Sequence, residues 1–229
     1  MVNEVEVPVT QPVKRVRDYR VWMAILTLVA ASAVFAVLAA LVATKDPILQ
    51  EDFEALVWLH THGSPVFTGF LLAVSDLHSL AGVAVFSVIL AIALARRRKF
   101  RWIFSLALAV GGGMLLNTAL KFAFHRGRPV WEDPLITIAT PSFPSGHAAA
   151  ATLFYGFLCV YIVSHVESLG LRVAAVLAGI TMVLLVAFSR MYLGVHYPSD
   201  VLAAISASTA WLVVSLGSVR AYLKRHAAA

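Results

Sequence analysis

The chain has a single cysteine, Cys159, so it cannot close an internal disulfide. Charge is also scarce. Only 13% of its 229 residues are Asp, Glu, Lys or Arg, and 60% are apolar; a soluble domain carries about 25% charged residues. That shortage, with a mean hydropathy of +0.85, excludes a water-soluble globular domain and defines an integral membrane protein. No low-complexity linker and no internal repeat divides the chain. Its length suits one membrane domain of several helices and leaves no room for a large soluble module. The formal net charge of +6 does not point to nucleic acid, because the basic residues stand in short clusters beside apolar runs, as the positive-inside rule requires.

The apolar runs define the organisation. Residues 1–20 read as a polar cytoplasmic tail, too long and too mixed in charge for a signal n-region and without a small-residue cleavage site. Residues 21–44 are uncharged and long enough to span. Residues 48–62 mix Glu51, Asp52 and Glu54 with Phe53, Leu56, Val57 and Leu59, an interfacial pattern. Residues 66–74 are too short to cross and are broken by Ser75, Asp76, Leu77, His78 and Ser79, which predicts a half-helix dipping into the outer leaflet. Further spans are expected at 80–95, 102–124, 148–163, 172–188 and 200–219. The third span carries Gly111, Gly112 and Gly113, which in lipid permit close helix packing, and Asn117, expected to hydrogen-bond a neighbouring helix. The reading is an all-α protein of six transmembrane helices in residues 21–220, with a short interfacial helix between spans 1 and 2 and a cytoplasmic tail at 221–229.

Charge orients it. The densest basic run, Arg96, Arg97, Arg98, Lys99 and Arg101, belongs inside, as do both termini. Of the 18 Lys and Arg, only Lys45, Lys121, Arg126, Arg128 and Arg190 then fall outside. All but Lys45 lie in or beside three polar stretches that share one membrane face. The first holds Lys121, Arg128 and Pro129; the second, Pro144, Ser145, Gly146 and His147; the third, Ser189, Arg190, His196 and Asp200.

Taken singly, Lys121 can be explained by snorkelling, Arg190 by interfacial anchoring, and the Ser145 stretch by a capped helix. Together they form a cradle. Ser145 is expected to N-cap the fourth span, whose first-turn N–H groups and dipole make an anion site. Gly146 lets the backbone approach a bound group. Three cations suit a multiply charged oxyanion, best matched by phosphate. Asp200, four residues after His196, can fix one ring nitrogen and leave the other free to attack phosphorus, while His147 can protonate the leaving oxygen. A metal held by His147, His196 and Asp200 is a weaker reading, since three nearby cations repel a divalent ion.

These stretches resemble the signature of the type 2 phosphatidic acid phosphatase family, in its membrane lipid phosphatase branch. Its Lys, six residues, Arg-Pro motif is matched by Lys121, Arg128 and Pro129. Its Pro-Ser-Gly-His motif is matched by residues 144–147. Its Ser-Arg, five residues, His, three residues, Asp motif is matched by Ser189, Arg190, His196 and Asp200. The resemblance implies that Lys121, Arg128, Ser145, Gly146 and Arg190 bind phosphate. It further implies that His196 forms a phosphohistidine oriented by Asp200 and that His147 is the general acid, with no metal and no cofactor.

The expected activity is dephosphorylation of a lipid phosphate or pyrophosphate at the outer leaflet of a bacterial cell membrane, facing the periplasm or exterior. Undecaprenyl pyrophosphate, phosphatidylglycerophosphate, phosphatidic acid and lipid A 1-phosphate are candidates, the first two favoured by analogy. The alternatives are a lipid phosphotransferase and a non-catalytic lipid-phosphate binder or transporter. The expected partners are the substrate and membrane lipids, with oligomeric state left open.

The topology is testable by cysteine scanning in a Cys159-free background. An impermeant thiol reagent applied to intact cells is expected to label position 132 and to spare position 100; the opposite pattern reverses the orientation.

Overall fold

The computed structural model describes residues 13–226; the outer parts of the two expected tails, 1–12 and 227–229, lie outside them. Among the described residues there are helices and no strands. They are α1 (Val13–Thr44), α2 (Gln50–Thr61), α3 (Pro65–Leu77), α4 (Leu80–Arg96), α5 (Phe100–Leu106), α6 (Gly113–Phe124), α7 (Gly146–His165), α8 (Leu169–Tyr192) and α9 (Pro198–His226). Five stretches are long and apolar enough to cross a membrane: Val21–Thr44, Phe100–Phe124, Gly146–His165, Leu169–Tyr192 and Pro198–Leu223. The pair α3 and α4, bent by 54° at their junction, supplies a sixth.

The six-span expectation therefore holds among the described residues, and the structure adds two details. Residues 13–20 are helical and continuous with α1, because no proline or glycine interrupts the chain between 13 and 44, and the apolar stretch itself begins at Val21 as expected. The 17 residues of α4 stand at the short limit of a crossing, and α3 and α4 reach the length of a full span together. Ser64 and Ser79 cap the two halves by accepting from Phe67 N and Gly82 N. His78 closes the bend: Nδ1 meets Val74 O at 2.8 Å and Nε2 meets the Tyr155 hydroxyl at 2.7 Å. The 12 residues of α2 reach about 18 Å at 1.5 Å per residue, too short to cross.

The centre of the bundle is α7. Ala148, Ala149, Ala150, Ala151, Thr152, Leu153 and Phe154 are buried in succession, so the first half of this helix is covered all round, chiefly by α8 and α9 and also by α4 and α6. Small side chains let the neighbouring backbones close in.

Between α5 and α6 the span winds as a π-helix over Ala107–Gly112. Its disturbed ladder is met by the Trp211 indole, which donates to Leu108 O and Ala109 O, each at 3.1 Å. The three glycines are not equivalent. A Cβ on Gly112 would stand 2.6 Å from Trp211 Cζ2, and one on Gly113 2.5 Å from Leu153 Cδ1, whereas Gly111 has nothing within 4 Å. Close packing thus needs Gly112 and Gly113 only. Gly113→Ala is expected to destabilise by about 1–3 kcal/mol through overpacking, while Gly111→Ala leaves stability unchanged or raised by up to about 1 kcal/mol; thermal melts of the solubilised protein compare the two.

Candidate active site

Three chain segments converge at the N-terminus of α7. Ser145 N donates to Asp200 O at 3.1 Å, pinning the start of α7 to the start of α9. The Cβ position of Gly146 lies 3.8 Å from Asn117 Nδ2 and 3.9 Å from Lys121 Cε, so the inner face of α6 passes directly beneath this turn. The sequence alone suggests that Ser145 caps α7 with its hydroxyl. Its backbone does take the cap position, at φ −67° and ψ 120°, but its side chain accepts no first-turn N–H. Ser145 is fully buried, and its Oγ has no partner among the described residues.

Arg190 is the companion orphan. It is 2% exposed. Nη1 donates to Ser75 Oγ in the bent second span, whereas Nε and Nη2 are buried without a partner. A buried guanidinium with two unused donors is costly unless an anion completes it, and so is a buried unused hydroxyl. Lys121 and Arg128 lie within electrostatic reach of each other and of Arg190. Lys121 Nζ donates to Pro141 O at 2.6 Å. Arg128 spreads its fork over Thr140 O at 2.8 Å, Val195 O at 2.6 Å and Thr140 Oγ1 at 3.1 Å. Every one of these partners is neutral, so the cationic charge of the cradle stays available.

The histidines border the same space. His196 is 2% exposed, with Nδ1 3.3 Å from Asp200 Oδ2 and Nε2 3.2 Å from Arg128 Nη1. With the carboxylate accepting at Nδ1, the proton sits there and the lone pair at Nε2 faces the cations. His147, in the first turn of α7, lies within electrostatic reach of Arg190, His196 and Arg128. Burial holds the His196 imidazole down to about 4, against the pull of Asp200 and with help from Arg128 and Lys121. Burial likewise lowers Arg128 and raises the Tyr197 phenol. Among the described residues, no three His, Cys, Asp or Glu side chains gather in an arrangement that could hold a metal ion.

All eight residues singled out from the sequence meet here: Lys121, Arg128, Ser145, Gly146, His147, Arg190, His196 and Asp200. Sequence reasoning passed over Ser75, Thr140 and Ser142, which bond to these groups, and over Arg126, Asp52 and the Ser199 that bonds to both of them. Arg126 left a trace as one of the five cations on the unexpected face; the serines left none.

The architecture and its cradle define a class, an integral membrane protein with two histidines and a cluster of cations gathered at the N-terminus of a central helix. Residues 102–223 match the PAP2 superfamily, and the chain belongs to that family. Among solved structures, a transmembrane PAP2-type phosphatidylglycerolphosphate phosphatase from Bacillus subtilis superposes with a TM-score of 0.77 at 26% identity, over 84% of this chain and 95% of that one. LpxE of Aquifex aeolicus gives 0.58 at 28% identity, over 72% and 94%. Among curated proteins, phosphatidylglycerophosphatase B of Bacillus subtilis (strain 168) is 39% identical over 101 residues, 43% of this chain and 49% of that protein. Decaprenylphosphoryl-5-phosphoribose phosphatase of Mycobacterium tuberculosis is 34% identical over 148 residues, 61% of this chain and 73% of that protein. The chain thus spans about half the length of the first of these curated relatives.

The depressed His196 value sets a direction for acid stability. The folded state refuses a proton that the unfolded chain accepts below the ordinary value of 6.5. This contribution is therefore intact above pH 6.5 and is lost progressively as pH falls towards about 4. In a ¹³C-histidine NMR titration of the purified protein, the His196 resonance is expected to stay in its neutral position down to about pH 4. A midpoint near 6.5 would show that the imidazole is not desolvated.

Proposed function

We propose that the protein hydrolyses the phosphate or pyrophosphate group of a membrane lipid through a phosphohistidine on His196. The observation that carries this reading is the fixed His196 ring, whose unprotonated Nε2 meets, among the described residues, only Arg128 Nη1, in a site that also holds the buried, unpartnered polar atoms of Ser145 and Arg190. Phosphoryl oxygens would take over those donors and Arg128 Nη1, placing phosphorus in front of Nε2. Attack by Nε2 forms the N–P bond and breaks the bond to the lipid oxygen, which takes its proton from His147. Water then attacks phosphorus, gives a proton back to His147 and releases phosphate, restoring neutral His196. Lys121, Arg128, Arg190 and the α7 N-terminus stabilise the charge on the equatorial oxygens.

The substrate class follows from the setting. The site lies at the ends of membrane helices with apolar walls, which suits a head group whose tail stays in lipid. The names of the relatives point to lipid-linked phosphates, phosphatidylglycerophosphate in one and decaprenylphosphoryl-5-phosphoribose in another. Undecaprenyl pyrophosphate and phosphatidylglycerophosphate are the first substrates to try. The charge distribution of the loops supports an outward-facing site.

Phosphate release from solubilised lipid phosphates separates hydrolysis from binding alone, and a product other than free phosphate would reveal transfer to a second lipid. Within hydrolysis, the two histidines separate. His196→Ala is expected to abolish turnover and the acid-labile, base-stable phosphoenzyme trapped by rapid quench. His147→Ala is expected to slow lipid phosphates strongly yet spare a nitrophenyl phosphate, whose leaving group departs unprotonated. Asp200→Asn is expected to keep the fold and lose about 10²- to 10⁴-fold in rate. Phosphoenzyme on His196→Ala, or equal damage by His147→Ala with both leaving groups, would overturn these roles.

A further inference from the structure

Arg126 stands between Lys121 and Arg128 in sequence but turns away from the cradle. Nη1 donates to Asp200 Oδ1 at 2.7 Å and to Ser199 Oγ at 2.6 Å, and Nη2 reaches Asp52 Oδ2 at 3.2 Å. The guanidinium carbon lies 4.0 Å from the centroid of the Tyr197 ring. Asp52, from the first turn of α2, closes the arrangement: its Oδ1 accepts from Ser199 N at 3.1 Å, and its Oδ2 accepts from the Ser199 hydroxyl. It thus places a carboxylate at the N-terminus of α9, where the helix dipole favours one. Asp52 lies outside residues 102–223, the part of the chain that matches the family.

We propose that Asp52 and Arg126 form a positioning clamp for the His196–Asp200 pair, reaching in from the interfacial helix α2. The inference rests on the function proposed above. Asp200 Oδ2 accepts from Ser142, from Tyr197 N at 3.0 Å and from His196 Nδ1, and Arg126 holds Oδ1. With both oxygens engaged, the carboxylate plane cannot rotate, and the His196 ring keeps its heading towards phosphorus. Asp52 has a second task. A fourth cation at this face would compete for the substrate phosphate, and Lys121 and Arg128 repel it from the cradle side. The Asp52 carboxylate completes its pairing and commits it to Asp200. Arg126 therefore acts through the catalytic carboxylate and does not touch the phosphoryl group.

The test uses the full chain in mixed micelles containing phosphatidic acid, phosphatidylglycerophosphate or undecaprenyl pyrophosphate, with vanadate binding measured on the same preparations. Arg126→Gln is expected to lower kcat by about 10²-fold, the scale of a misaligned reacting group, while KM and vanadate affinity stay within about threefold of wild type. Asp52→Asn, which keeps the shape and removes the charge, is expected to lose about tenfold in kcat. The double variant is expected to be no worse than Arg126→Gln, since Asp52 works through Arg126. Arg126→Lys should recover part of the lost rate. KM and vanadate affinity weakening in step with kcat would make Arg126 a phosphate ligand and overturn the clamp, as would full additivity of the two substitutions or kcat within twofold of wild type. If Arg126→Gln does not yield folded protein, Asp52→Asn decides alone, and wild-type kcat in it overturns the proposal. Absence of phosphate release from the wild-type protein would instead remove the proposed function itself.

Discussion

Everything at this site hangs on one buried carboxylate. Asp200 is fully excluded from solvent, and such a charge is tolerated only when its lone pairs are filled. The donors that fill them come from different parts of the chain: Ser142 from the loop before α7, Tyr197 N and His196 from the turn before α9, and Arg126 from the exit of α6. The backbone oxygen of the same residue accepts Ser145 N. A single residue thus ties the starts of α7 and α9 and the end of α6 to one point. The catalytic geometry and the packing of the bundle end are one network.

The cations are treated in the opposite way. Lys121 and Arg128 are held by carbonyl oxygens of Thr140, Pro141 and Val195, dipoles that fix a side chain without cancelling its charge. Arg190 is held by a serine hydroxyl, with Asp76 within electrostatic reach. Arg126 is the cation whose partners are acids. The same residue type therefore does two jobs within one loop, and the difference is set by whether its partner carries charge. A cradle braced by neutral groups keeps its positive potential for an incoming dianion, and the low dielectric around it strengthens that potential.

Much of this was legible in the sequence. Runs of apolar residues gave the spans, and Ser75 to Ser79 marked the junction between the short apolar segment and the helix that follows it. The residues that gather at the start of α7 were legible as three short polar stretches at the ends of apolar runs, all on one expected membrane face. What was not legible depends on long-range pairing. Asp52 sits in a segment whose local pattern, acids mixed with aromatics, describes any surface helix, and only the fold brings it to Ser199. Ser145 matched the cap preference, and its hydroxyl turned out to be kept unpaired at the site. Three consecutive glycines suggested close packing, yet Gly111 faces outward, because at about 100° per residue three neighbours cannot share one helix face.

The π-helix over Ala107–Gly112 fixes the aim of the site. The inward positions of this span, Ser105, Ala109, Gly113, Asn117 and Lys121, recur every four residues. At about 100° per residue, a four-residue step overshoots a full circle by about 40°, so an unbroken α-helix would swing the last of them about 160° off the line of the first. The wider π winding absorbs roughly one residue of that overshoot and keeps the row in register. The span behaves as a gear with one extra tooth cut halfway along: deleting a single residue from Ala107–Gly112 would let it wind as an ordinary α-helix with Lys121 still facing the cradle, whereas drawing all six of those residues into α winding would turn Lys121 about a quarter-circle away.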